Sequence, residues 1–226
     1  MTNLKKRILT SVFLLSLVAV TFINSFILII LLILISIFTL IEFNGLISKI
    51  FKNDNFKTNI FKLSIRVIAL IYLFFFSALL FDAITQEKPD IKLNTIYLLS
   101  ICICSDVGGF IFGKIFKGKK LTKISPKKTI AGSIGSFILP ITLVPFFFNL
   151  LPEKFNDIFN LILLSIIVAF ICQLGDLFIS FLKRKAKVKD TGNLLPGHGG
   201  LLDRVDGIIF ALPFGIIMWE FLIFLS

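Results

Sequence analysis

Seven apolar runs, at roughly 8–23, 26–43, 63–81, 95–113, 131–150, 158–182 and 207–225, fill most of the 226-residue chain. Runs of about this length cross a hydrocarbon core of ~30 Å as α-helices, and a backbone in lipid must satisfy its hydrogen bonds internally. Such a succession therefore confines the chain to an all-α, polytopic integral membrane protein of about seven transmembrane helices. Composition excludes a soluble domain: 57% of residues are hydrophobic, only 16% are charged, and 28 are phenylalanine. The first two runs meet at Asn24-Ser25 with almost no loop, which predicts either a tight hairpin of two short spans or one broken re-entrant segment. Lys5-Lys6-Arg7 precede the first run as they would in a signal peptide, but no small-residue cleavage pattern follows, so the run is expected to be retained.

The basic residues orient this series. With the amino terminus in the cytoplasm, 21 of the 24 lysines and arginines fall in cytoplasmic segments, and only Lys88, Lys92 and Lys154 fall opposite. The net charge of +11 is then a feature of the cytoplasmic membrane surface, suited to anionic headgroups or phosphorylated solutes rather than to nucleic acid. Cys102, Cys104 and Cys172 lie within runs, lack metal-ligand spacing and read as packing residues. The loops are too short to form a core of their own, so any site must combine spans with cytoplasmic loops.

The acids mark where that site would be. Gln173, Asp176, Ser180 and Lys183 are spaced three, four and three residues apart, which places them on one face near the cytoplasmic end of the sixth run. Asp203 and Asp206 stand at the start of the seventh run, and Asp106 lies just inside the end of the fourth, followed by Gly108, Gly109 and Gly113. A carboxylate in a membrane helix costs ~2.5–3.5 kcal/mol on insertion scales, so something must offset it. Pairing with lysine, lining a wet crevice, is one answer. A divalent cation such as Mg²⁺, which prefers hard oxygens, is the other. Gly197, Gly199 and Gly200 would let backbone N–H groups approach an anion, whereas one histidine and scattered cysteines argue against zinc.

A second polar block, residues 113–132, contains Ser125-Pro126-Lys127-Lys128-Thr129. Its proline fixes the entry to the next span, while Ser125, Lys128 and Thr129 can aim donors at one anion. His198 is suited to donating to phosphate, relaying a proton or fixing its loop. Glu42 and Glu220, near span ends, are expected to be interfacial, and Phe110 to pack or face lipid.

Ser180, Lys183-Arg184, Lys189-Asp190, Gly192, Pro196-Gly197-His198-Gly199-Gly200, Asp203-Arg204 and Asp206 together resemble, with spacing intact, the signature of the phosphatidate cytidylyltransferases, the CDP-diacylglycerol synthases. The block from Asp106 to Gly132 is similar to that family's other motif, so the resemblance covers roughly residues 105–210. The chain departs from the pattern at Val107, where a hydroxyl residue is usual, and at Ala131, where an acid is common, and against the family it resembles it is expected to lack one or two amino-terminal spans.

The resemblance implies one membrane domain over 1–226, with amino-terminal spans to 94 and catalytic spans and loops over 95–226. The activity implied is condensation of CTP with phosphatidic acid to CDP-diacylglycerol and pyrophosphate, at the cytoplasmic side of the inner membrane between the fourth, sixth and seventh helices. It further implies Mg²⁺ on Asp203, Asp206, Asp176 and Asp106, the last either ligand or lysine orienter. Lys183, Arg184, Arg204 and His198 would be catalytic, and Ser125, Lys128, Thr129, Ser180, Lys189, Gly197, Gly199 and Gly200 would bind substrate. Membrane lipids and a homodimer are the expected partners. A CTP-dependent polyprenol or dolichol kinase is the nearest alternative enzyme. A transporter of anionic solutes would instead spread its acids through the membrane depth.

Overall fold

The computed structural model describes residues 16, 19–22, 24–52, 55–86, 88–122, 124–151, 157–194 and 199–225. Among them the regular elements are helices: α1 (Ser25–Ile50), α2 (Phe56–Thr85), α3 (Pro89–Phe116), α4 (Ile130–Ile141), α5 (Val144–Phe148), α6 (Ile158–Lys185), α7 (Leu202–Val205) and α8 (Ile208–Leu225). Among the described residues six candidate spans are long and apolar enough to cross a membrane: α1, α2, α3, residues 130–148, α6 and residues 202–222. The protein is thus a multi-pass membrane protein. Most of the expected first span, 8–23, lies outside the described residues.

The helices outrun their apolar runs. At ~1.5 Å rise per residue, the 30 residues of α2 exceed a ~30 Å hydrocarbon core, so polar ends continue the helix beyond it. Capping sets several ends. Asn24 Oδ1 accepts from the N–H of Phe26 at 2.9 Å and starts α1. Pro89 and Asp90 open α3, which stops where Lys117 and Gly118 take φ of 50° and 93°. The run expected as one span over 131–150 is one candidate span over 130–148, but its helix is interrupted: Pro140 lies inside α4, Pro145 stands in the first turn of α5, and the turn between them is carried by N–H bonds from Thr142 to Leu139 O and from Leu143 to Pro140 O. The run expected over 207–225 is preceded by the single turn α7.

The chain divides into two compact units, Met1–Thr85 with Leu182–Val205, and Gln86–Phe181 with Asp206–Ser226. In the first unit α1 packs along α2, and Ser36 and Ser77 share a hydrogen bond of 2.9 Å, which satisfies both hydroxyls within an apolar seam. In the second unit α4 lies unusually close to α3. A Cβ added at Gly132 would stand 2.7 Å from Gly109 O, and one at Gly108 would collide with Gly135 O, so side-chain-free positions on both helices permit the approach. Tyr97, fully buried on α3, shares a 2.6 Å hydrogen bond with Ser165 of α6.

Candidate active site

The close α3–α4 packing places the loop between them. Lys120 and Thr129 form an isolated antiparallel bridge, with Leu121 N–H donating to Lys128 O at 2.8 Å and Ile130 N–H to Lys119 O at 3.0 Å. Within the loop, Lys128 N–H closes a turn onto Ser125 O with Pro126 at its second position, where a fixed φ favours turning. Thr129 Oγ1 accepts from Gly132 N–H at 3.1 Å and caps α4, which leaves its hydroxyl proton for another acceptor. Ser133, one turn into α4, donates to Gln173 Oε1 at 2.6 Å, tying α4 to α6.

These constraints bring Lys128 to Asp176. The ammonium pairs with Asp176 Oδ2, both side chains about a quarter exposed. Ser180, one turn further along α6, donates to Asp176 Oδ1 at 3.3 Å, as the three-four-three spacing predicts. Asp206 joins the same unit through a glycine contact: a Cβ at Gly175 would lie 2.7 Å from Asp206 O, so only glycine there lets the start of α8 lie against α6. Asp206 is 8% exposed, and its Oδ1 accepts from Gly207 N–H at 3.0 Å. Asp106 is exposed on α3. Three of the four expected metal ligands, Asp106 on α3, Asp176 on α6 and Asp206 in the turn before α8, therefore belong to one unit.

The first unit holds the fourth. Asp203 Oδ1 pairs with Lys183 Nζ at 2.6 Å, while Oδ2 accepts from Thr191 N–H at 2.8 Å and Gly200 N–H at 3.2 Å and lies 3.0 Å from Thr191 Oγ1. Its side chain is only 6% exposed. Gly199 takes φ of 86°, a conformation that suits glycine, and carries the chain into this arrangement. Arg184, Lys189 and Arg204 are exposed at its margins. Gly197 and His198 lie outside the described residues.

Glu42 corrects the expectation that it is interfacial. It is 9% exposed, and its carboxylate accepts from Thr191 Oγ1–H at 2.7 Å, Leu201 N–H at 3.0 Å and Leu202 N–H at 2.9 Å. Sequence reasoning missed both Glu42 and Thr191. The available signal was an acid within the last turn of an apolar run, which needs donors if it is buried.

Among the described residues no three histidine, cysteine or acidic side chains are grouped so as to hold a metal ion. In kind, however, the donors suit magnesium: the aspartates of the second unit are hard oxygen ligands, whereas the cysteines beside them are soft and largely buried.

Comparison with known proteins agrees with the motifs. The model of the cytidylyltransferase family matches residues 45–222. A phosphatidate cytidylyltransferase of Rickettsia typhi is 43% identical over 143 residues, covering 58% of this chain and 60% of the relative. One of Rickettsia felis is 45% identical over 125 residues, with 51% and 55% covered, and one of Staphylococcus haemolyticus is 44% identical over 124 residues, with 52% and 45% covered. The chain spans about half the length of the curated relatives it matches.

Proposed function

Because the chain belongs to the cytidylyltransferase family, we propose that it transfers the cytidylyl group of CTP to phosphatidic acid, giving CDP-diacylglycerol and pyrophosphate. The observation that carries this reading is a lysine ammonium held by an aspartate in each unit, Lys128 on Asp176 and Lys183 on Asp203, within the matched region. In the reaction an oxygen of the lipid phosphate forms a bond to the α-phosphorus of CTP while the α–β anhydride bond breaks, and its electron pair leaves with pyrophosphate. The second ionisation of a phosphate monoester lies near pH ~6, so the attacking oxygen already lacks a proton at neutral pH. The site must therefore neutralise and align two polyanions rather than extract a proton. The more exposed pair is suited to this, because a phosphate oxygen can replace Asp176 as the partner of the Lys128 ammonium, while Lys183 on Asp203 adds fixed charge. Arg184 and Arg204 add charge at exposed positions, and Lys189 and the glycines at 199 and 200 lie along the same segment.

Mg²⁺ belongs to this reading by the kind of donor alone: Asp106, Asp176 and Asp206, which are not grouped as a ready metal site, would each offer it hard carboxylate oxygens, and Asp203 is the remaining acid of the motif. Bound there, the ion would neutralise phosphate charge. Placement of the site at the cytoplasmic face of the inner membrane is supported by the 21 basic residues assigned to that side. A homodimer is part of the same reading, checked by the mass of the solubilised protein. The deciding experiment supplies purified protein with phosphatidate, Mg²⁺ and CTP labelled at either the α- or the γ-phosphate. Label from the α position in lipid is the expected result; lipid label only from the γ position would show a kinase instead.

A further inference from the structure

We propose that Glu42 is a positioning residue for the transfer reaction, clamping the two ends of the segment that carries the glycine turn and Asp203; this rests on the proposed function. Glu42 lies outside the matched region, which begins at residue 45. It stands on α1, far from the motif in sequence, yet its carboxylate accepts three hydrogen bonds from that segment: from Thr191 at one end and from Leu201 and Leu202 at the other.

The geometry gives the contact a specific job. Leu201 and Leu202 open α7, where backbone N–H groups have no acceptor within the helix, so Glu42 caps that turn from a distant element. Thr191 lies between Glu42 and Asp203, with its hydroxyl 2.7 Å from the first and 3.0 Å from the second, while its N–H also bonds Asp203. One hydroxyl proton serves one acceptor at a time, and the shorter contact assigns it to Glu42; Asp203 keeps Lys183 and two backbone donors. Movement of Glu42 therefore shifts both Thr191 and the turn that orients Asp203.

The clamp also accounts for two glycines of the signature. A Cβ at Gly192 would stand 2.5 Å from Glu42 Oε1, and one at Gly200 would collide with Glu42 Oε2 and Thr191 Oγ1. A side chain at either position would have to displace the carboxylate from α1, and with it the clamp. An anionic group buried in an otherwise apolar helix is costly unless its donors are fixed, so Glu42 and the segment hold each other.

The test uses the full chain in lipid nanodiscs, comparing wild type with Glu42→Gln, Thr191→Val and the double variant. Glu42→Gln keeps the shape but turns an acceptor toward a backbone N–H as a donor. A displaced reacting group costs ~100-fold in rate, so kcat should fall by about that factor while KM for CTP changes by less than ~3-fold. Amide exchange at Leu201 and Leu202, measured without substrate, should accelerate while the core of α3 stays protected. Thr191→Val should fall ~10-fold, and the double variant should be no worse than Glu42→Gln, because coupled residues do not lose activity additively. Wild-type kcat in either single variant, or multiplicative losses in the double, would overturn the proposal. If Glu42→Gln does not fold, Thr191→Val decides by the same kcat and exchange readouts. If wild type transfers no cytidylyl group, the functional reading fails, whereas unchanged exchange at Leu201 and Leu202 in the variants removes the clamp itself.

Discussion

The two lysine–aspartate pairs use the same chemistry in different surroundings. Lys183–Asp203 is closed: the side chains are 13% and 6% exposed, and Asp203 takes two further hydrogen bonds from the backbone N–H groups of Thr191 and Gly200. Lys128–Asp176 is open: the side chains are 30% and 23% exposed, and Ser180 adds a long hydrogen bond to Asp176. A closed pair fixes geometry, because breaking it leaves a buried charge uncompensated. An open pair can exchange partners, because water replaces what is lost. The first is therefore suited to holding a loop in shape and the second to releasing a lysine, an acid or both to an incoming polyanion.

Asp203→Asn tests the closed pair and should have the largest effect. It leaves the Lys183 ammonium buried without its carboxylate, so stability should fall by ~3–5 kcal/mol and turnover by at least ~1000-fold, read as melting temperature in detergent and as labelled-CTP incorporation. Near-normal melting would show that the pair is not closed in the sense argued. Asp176→Asn should separate the two properties: turnover down ~100-fold with stability changed by ~1 kcal/mol or less. Lys128→Met should behave alike. A melting shift as large as that of Asp203→Asn would erase the distinction between the pairs.

The span architecture was legible because lipid leaves a chain little choice: the runs at 63–81, 95–113 and 158–182 became α2, α3 and α6 with polar extensions. The break near residue 142 was written in Pro140 and Pro145, but hydropathy averages over it. At the site, helical spacing foretold the Asp176–Ser180 contact, and lysine pairing was one of the two offsets expected for buried acids. What the sequence did not display was which lysine meets which acid, since Lys128 and Asp176 are joined only through the glycine-mediated approach of α4 to α3 and the Ser133–Gln173 tie. Glu42 was illegible for a stronger reason. Its donors lie 149 to 160 residues away, and no local period records a contact of that range.

That dependence on helix packing supplies the smallest expected effect on turnover. In Gly132→Ala the new methyl would stand 2.7 Å from Gly109 O and 3.2 Å from Thr129 Oγ1. The first is a backbone atom of α3 and cannot swing aside, so α4 must withdraw; overpacking of this kind costs ~1–3 kcal/mol. Withdrawal loosens the Thr129 cap and carries Lys128 away from Asp176, while the residues that hold Lys183 and Asp203 are untouched. Because an open pair tolerates displacement better than the loss of its charge, turnover should fall ~10-fold, less than in Asp176→Asn. Combining the two substitutions should then add little to Asp176→Asn alone, since both act through one contact. A full tenfold further loss in the double variant would mean that α4 positions some group other than Lys128, and the open pair would no longer be the part of the second unit on which the reaction depends.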